Sequence, residues 1–247
     1  MLLPSSGLLA DRGLQHLQRV SLRCSSRSPL TGSTGDVLKQ LTRLQALNIQ
    51  YTFMDMAGHD VDLWKSLPCL KGLCIIDPHA AARLTDTIPS FDSITDCLPS
   101  LCGLTSLELT VFSLPSYSFK VCDDLTQLTK LQQLRLEHVG KGIVHARDCM
   151  QLLHLRKLTS LVLRDMWNAV DNMVAVTLAC NMPELCYLDI TGCQLKVDTA
   201  VPAFAQLQHL TKIVLSGNSG YTDTSISLLH WQRSAAGLPK LIVEHKS

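Results

Sequence analysis

The sequence predicts an α/β solenoid of about nine repeats, with a parallel sheet lining its concave side and helices on its convex side. Three observations predict it. An aliphatic anchor recurs at Val20, Leu47, Leu73, Leu107, Leu134, Leu161, Leu188, Ile213 and Leu241, at successive spacings of 27, 26, 34, 27, 27, 27, 25 and 28 residues. Most anchors begin an aliphatic pair of the form L-x-L, as in Leu134–Leu136 and Leu161–Leu163. Leucines at spacing three lead into the strands, as in Leu38, Leu41 and Leu44, in Leu98, Leu101 and Leu104, and in Leu125, Leu128 and Leu131. Eight intervals so regular are not chance, and a unit this short cannot bury its own apolar face, so it must stack on its neighbours.

Each position of the unit has a physical role. Two leucines two residues apart point to one side of a short strand, and the residue between them points to the other. Successive strands then pair in parallel at ~4.8 Å. Asn218 and Cys193 stand where the chain leaves its strand and can satisfy backbone groups inside that turn. Segments 201–210 and 225–236 are amphipathic, and the spacing predicts helices there and ahead of the other strands. Pro68, Pro99, Pro183 and Pro239 lie in the links from helix to strand, where a helix must stop. A unit of about 27 residues suits full helices better than short 3₁₀ turns.

The clearest units read L-x-x-L-x-I-x-x-C-x-L at Leu185, Leu188, Ile190, Cys193 and Leu195, and L-x-x-I-x-L-x-x-N at Leu210, Ile213, Leu215 and Asn218. This pattern resembles the leucine-rich-repeat superfamily over nearly the whole chain. The resemblance implies a leucine-rich-repeat solenoid, or horseshoe. The repeat length and Gly192-Cys193 are similar to the ribonuclease-inhibitor-like and cysteine-containing subclasses, the latter common in F-box proteins. Thr52, Pro78, Phe112, Val139 and Met166 occupy that turn position elsewhere.

Residues 1–247 read as one repeat domain with a rim insertion within 77–96, where the long interval places extra residues. A functional loop and a tolerated insertion fit that segment equally. Residues 1–30 hold Arg12, Arg19, Arg23 and Arg27 and the single acid Asp11, which suits either a transit peptide or the first repeat; Leu14, Leu17, Val20 and Leu22 favour the repeat. Solenoid ends need polar caps. The strands near Val20 and Leu241 carry little beyond them, so the sequence reads as a fragment or as a chain whose ends are covered by self-association.

Composition narrows the function. The chain is 46% hydrophobic and 17% charged with net charge +1, and no basic run marks a nucleic-acid footprint. No apolar stretch reaches the length of a membrane span. Ten cysteines without a C-x-x-C pair fit buried thiols in a reducing compartment better than a disulfide framework. A cytoplasmic setting follows, with the cytoskeleton or ciliary axoneme as the alternative. No phosphate-binding loop, nucleophile elbow or zinc-protease motif occurs. His145, Asp148, Cys149 and His154 fall on one repeat, where a surface helix with a buried cysteine is the simpler reading of a Cys–His pair. The sequence therefore reads as a non-enzyme with no cofactor and no metal.

The expected site is the concave sheet face. Its middle column runs Ser21, Asn48, Cys74, Glu108, Arg135, Val162, Asp189, Val214 and Ile242, and the next column includes Gln50, Glu137 and Arg164. Tyr187, Lys212 and Lys240 precede it. Glu108 is expected beside Arg135, and Glu137 beside Arg164. These pairs either only join adjacent strands or, with Gln50, Tyr51, Asp165, Tyr187 and Asp189, select a protein partner by complementarity. Val162, Val214 and Ile242 are expected as exposed apolar anchors. The leading function is a protein-binding scaffold. The alternatives are the substrate-recognition part of an SCF-type ubiquitin ligase, a cytoskeletal component and a small-GTPase regulator. The ubiquitin-ligase reading rests on the resemblance, and no F-box-like segment precedes the repeats.

Overall fold

The computed structural model describes residues 16–24, 33–51, 61–76, 98–110, 124–137, 146–166, 169–193, 195, 200–218 and 222–245. Nine strands form one parallel sheet in sequence order: β1 Arg19–Cys24, β2 Ala46–Tyr51, β3 Gly72–Ile76, β4 Ser106–Thr110, β5 Gln133–Glu137, β6 Ser160–Arg164, β7 Tyr187–Asp189, β8 Lys212–Val214 and β9 Ile242–Glu244. The helices are α1 Ser33–Lys39, α2 Val61–Lys65, α3 Ala146–Cys149, α4 Asn172–Asn181, α5 Ala200–Ala203 and α6 Asp223–Ala235.

Repeat chemistry sets the register. Val20 pairs with Leu47, Leu47 with Leu73, Leu73 with Leu107, Leu107 with Leu134, Leu134 with Leu161, Leu161 with Leu188 and Leu188 with Ile213. Each of these strands presents its i,i+2 aliphatic pair to one face, and Leu47, Ile49, Leu107, Leu109, Leu134 and Leu136 are buried. Register continues unbroken from β3 to β4 across the long interval. The insertion within 77–96 itself lies outside the described residues. At the start of the array Leu22 is buried, whereas Leu17 is 36% exposed.

The last repeat departs from the expected anchor. Ile213 pairs with Val243, not with Leu241. Leu241 is buried nonetheless. The link after α6 turns through Gly237, at φ 68°, and Pro239, and it delivers the chain to the strand later than in other repeats. Ile242 therefore takes the column of Tyr187 and Lys212, which Lys240 was expected to fill, and Glu244 takes the middle column.

Among the described residues, the convex side mixes helices with 3₁₀ turns. Only α4 and α6 reach 10 and 13 residues. Leu98–Leu101, Met150–His154 and Phe204–Gln206 are 3₁₀ turns. Leucines exactly three apart superpose on a 3₁₀ turn, whereas an α-helix would rotate them progressively. The L-x-x-L step closes as a tight turn in repeat after repeat: Leu44, Leu70, Leu104, Leu131, Leu158 and Leu210 each donate their N–H to the carbonyl of the leucine three residues earlier. Leu185 donates in the same way to the Met182 carbonyl.

Two devices lock repeat to repeat. Thr105, Thr159 and Thr211 donate their hydroxyls to the carbonyls of Lys71, Gln132 and Cys186 on the preceding repeat, at 3.1, 3.2 and 3.0 Å. The turn residues do the rest. Asn218 donates to the carbonyls of Ile190 and Leu215, each at 2.8 Å, and accepts from the Leu195 N–H at 3.1 Å. Cys193 donates to the Leu163 carbonyl at 2.9 Å, and burial pushes its thiol up to about 12. Both are buried, as is Met166 at the equivalent position, which fills the turn by packing alone. One residue earlier, Asp165, Gly192 and Gly217 all adopt positive φ. The left-handed turn is thus built three times, and Asp165 takes it without being glycine.

Arg233 of α6 is buried at the C-terminal end of the core. It donates to the carbonyls of Leu207 and Leu210 at 2.8 and 2.7 Å, and burial lowers its pKa below the usual value. This side chain satisfies carbonyls of the preceding link that neither a helix nor a strand would pair.

Candidate functional site

On the sheet face away from the helices, strand alternation turns Glu108, Arg135, Asp189 and their register partners outward. The structure joins them into one band. Glu108 on β4 lies in register with Arg135 on β5, and Arg135 Nε is 3.2 Å from Glu108 Oε1. Arg135 also bonds to Glu137 on its own strand, with Nε donating to Oε2 at 3.0 Å and Nη2 paired to the same oxygen. Glu137 is in register with Arg164 on β6, and its charge supports the Arg164 guanidinium. Arg164 reaches across to β7, where Nε and Nη2 both donate to Asp189 Oδ2, at 2.8 and 2.5 Å. Tyr187 on β7 lies under the Lys212 ammonium, 5.9 Å from the ring centre, and Lys212 pairs with Glu244 at 2.7 Å.

Asp189 is the anchor of the band. Its carboxylate is fully buried and fully used: Oδ2 accepts from Arg164 and from the Tyr187 hydroxyl at 3.3 Å, and Oδ1 accepts from the Thr191 hydroxyl and N–H at 2.6 and 3.1 Å. Burial alone pushes its pKa up, but the donors from Arg164 and Thr191 outweigh burial and hold it below the usual carboxylate value. Burial next to that carboxylate raises the Tyr187 pKa, so the phenol stays protonated as a donor. Donation to the Asp189 carboxylate is the main cause that raises the Arg164 pKa.

The band's other end is softer. Cys74 on β3 donates to Glu108 Oε2 at 3.4 Å, and burial followed by the Glu108 charge pushes its thiol up to about 12. Such a thiol is a hydrogen-bond donor, not a nucleophile. Gln50 accepts from Arg23 Nε at 3.1 Å. Tyr51 closes β2 in register with Cys24, and its side chain lies outside the described residues.

Several expectations change. Val162 and Val214 are not exposed anchors: both are 6% exposed. Val162 lies in register between Arg135 and Asp189, and Val214 between Asp189 and Glu244, so bulky polar neighbours flank each on both sides. Ile242 is exposed as expected, at 58%, though in the adjacent column. Asp165 lies at the turn after β6 rather than in the band and serves its backbone geometry. Asp189, expected among the surface charges, is instead buried. The signal lay in Tyr187 and Thr191, polar residues two positions to either side, whose side chains share its face of the strand.

Cysteines divide by environment. Cys149 and Cys193 are buried, while Cys69, Cys102 and Cys180 are exposed free thiols rather than core residues. Cys149 lies inside α3, and His154 faces the Gln151 carbonyl at 2.9 Å; His145 lies outside the described residues. Among the described residues no helix is long and apolar enough to cross a membrane.

Comparison with known proteins bears on the fold. No protein-family model matches the chain, and no curated protein matches it either. Among solved structures, a chain of the Rad7 and Elc1 complex of yeast superposes with a TM-score of 0.62 at 18% identity, covering 89% of this chain and 55% of that one. An internalin, InlF of Listeria monocytogenes, superposes with a TM-score of 0.52 at 17% identity, covering 85% of this chain and 50% of that one. This chain thus spans about half the length of each of these two solved chains. The likeness is one of architecture: strands added in sequence order to a single open parallel sheet, with helices on the other side. With its repeat pattern, register and turn chemistry, the chain has the leucine-rich-repeat solenoid fold.

Proposed function

We propose that the chain is a non-catalytic scaffold that holds a protein partner on the concave sheet face. The observation that carries this reading is the polar band of contacts from Cys74 to Glu137 and from Arg164 to Glu244, the two halves joined by the Glu137 charge acting on Arg164. Its side chains are fixed by one another on consecutive strands, so little rotamer freedom remains to be lost on binding. Arg135 and Arg164 keep about a third of their side chains exposed, at 33% and 31%, and Tyr187 is half-buried beside them. Arginine and tyrosine are the side chains that most often anchor interfaces. Gln50 extends the surface to β2. The solved complex of Rad7 with Elc1 supports the idea that this architecture serves protein assembly. A reducing compartment such as the cytoplasm suits a chain that displays free thiols at Cys69, Cys102 and Cys180.

Affinity capture with the wild type and with a Glu108→Lys, Arg135→Glu, Glu137→Lys, Arg164→Glu variant tests the site. The expected result is a partner captured by the wild type and lost by the variant. Equal capture by both would remove the site assignment. The captured partner also separates the finer readings: ubiquitin-ligase components, axonemal or cytoskeletal proteins, or a small GTPase.

A further inference from the structure

A second surface lies along the row of turns that lead into the strands. Each L-x-x-L step closes a tight turn whose two middle residues form its tip: Thr42–Arg43, Pro68–Cys69, Cys102–Gly103, Thr129–Lys130, Arg156–Lys157 and Gln208–His209. Pro183–Glu184 is the tip of the equivalent turn from Met182 to Leu185. The backbone ladder continues through the residue before each strand, so these turns stack in line like the strands they feed. From each turn to the residue before its strand, the described chain carries the cations Arg43, Lys71, Lys130, Arg156, Lys157 and Lys240 and the single carboxylate Glu184, all exposed.

These cations differ from those of the concave band. Arg135, Arg164 and Lys212 each have a carboxylate within ion-pair distance. Among the described residues, none of the six on the turn row has one; Arg43 meets only His16, at 3.3 Å. Helix C-termini favour basic residues, but most of these turns follow a 3₁₀ segment or a short helix, where that stabilisation is small. The chain carries nearly equal numbers of acids and bases, so an unpaired basic row is a local segregation of charge.

We propose that this row of turns is a docking surface for an extended acidic segment of a protein partner. Charge favours that occupant. The turns repeat at about the strand spacing of ~4.8 Å, shorter than the ~6.8 Å between same-face side chains of an extended chain, so the two do not match one to one, and long flexible side chains bridge the difference. A run of carboxylates can meet Lys130 on one turn and Arg156 with Lys157 on the next. Nucleic acid fits less well: duplex phosphates are far denser than this row, and His209 is the one ring among the turn tips named above, too few for successive bases to stack on. A membrane surface fits less well too, because the tips offer no exposed large apolar side chain to enter lipid. This surface is separate from the concave band, and either can fail without the other.

The test is fluorescence anisotropy at low ionic strength with a labelled peptide of alternating glutamate and serine. The expected result is binding by the wild type that falls by about tenfold or more in a Lys130→Ser, Arg156→Ser, Lys157→Ser variant, from three surface charges at the usual strength. Glu184→Lys is expected to tighten binding a few-fold, and added salt to weaken it. Thermal unfolding of these variants stays close to wild type, since the residues are exposed and lack ion pairs. Reversal of Arg135 and Arg164 leaves peptide binding unchanged. No binding by the wild type, equal binding by the triple variant, or tighter binding of single-stranded DNA or anionic vesicles than of the peptide overturns the proposal.

Discussion

Arg164 on β6 holds Asp189 on β7 through two donors to one carboxylate oxygen, at 2.8 and 2.5 Å, and Asp189 is fully buried while Arg164 is 31% exposed. The pair joins neighbouring repeats at the middle of the concave band. Its asymmetry decides how each partner responds to mutation.

Asp189→Ala leaves the Arg164, Tyr187 and Thr191 donors without their acceptor. Arg164 can turn to solvent, but the half-buried Thr191 N–H and hydroxyl lose their shared acceptor. We expect a loss of about 2–4 kcal/mol in denaturant unfolding, within the range for a broken buried pair. A loss under about 0.5 kcal/mol would mean that the band is decorative.

Acid should find the same residue. The Asp189 pKa is lower in the folded chain than in the unfolded one. Its contribution is therefore present above the unfolded value, ~3.9, and is lost as pH falls through the lower folded value. Melting temperature is expected to fall below about pH 4, and Asp189→Asn, already destabilised at neutral pH, should fall less steeply. Parallel slopes for the two proteins between pH 4 and pH 2 would contradict this.

Gly192 and Gly237 both have positive φ, at 67° and 68°, but a Cβ on Gly192 would overlap Asp165 Oδ1, whereas a Cβ on Gly237 meets nothing within 4 Å. Gly237→Ala is expected to cost the backbone strain alone, about 1–2 kcal/mol. Gly192→Ala adds displacement of the Asp165 carboxylate and should cost more, about 2–3 kcal/mol. Equal melting temperatures for the two variants would remove the close approach as a cause.

Asn218→Ala removes the amide that bonds the Ile190 and Leu215 carbonyls and the Leu195 N–H, all within the core. The expected loss is about 2–4 kcal/mol, with Asn218→Asp little better because a carboxylate cannot donate to the two carbonyls. Hydrogen exchange should report it first at the Leu195 amide.

Arg233→Met keeps the apolar stem and removes the donors to Leu207 and Leu210. We expect fraying of α6 and β9 with a loss of about 1–3 kcal/mol. Exchange protection in β1–β4 should be unchanged, because a stacked array transmits little beyond neighbouring repeats. Uniform loss of protection along the whole array would contradict that picture.

The residues that were legible in sequence are the periodic ones. Leu47, Leu73, Leu107 and Leu134 stand in register because an aliphatic layer repeated at one interval has one economical way to stack. The Glu108–Arg135 pair followed, since both sit between aliphatic residues of adjacent units. The same reasoning failed at Leu241, where an aliphatic residue beside the true register position, Val243, imitated the pattern. Among the described residues, leucines at spacing three form 3₁₀ turns as well as helices, a choice that spacing alone leaves open.

The sequence by itself determined the layers: which residues face the core, the order of the strands, and the columns that line the open face. Only the tertiary structure decided how the columns are used. On adjacent strands at ~4.8 Å, a long side chain such as Arg164 has more than one carboxylate within reach. Its choice of Asp189 depends on Tyr187 and Thr191 closing around that oxygen pair. The same crowding buries Val162 and Val214 on a face where alternation alone would expose them. Backbone periodicity is a one-dimensional property and survives in the sequence, whereas side-chain pairing across strands is settled by three-dimensional competition for partners.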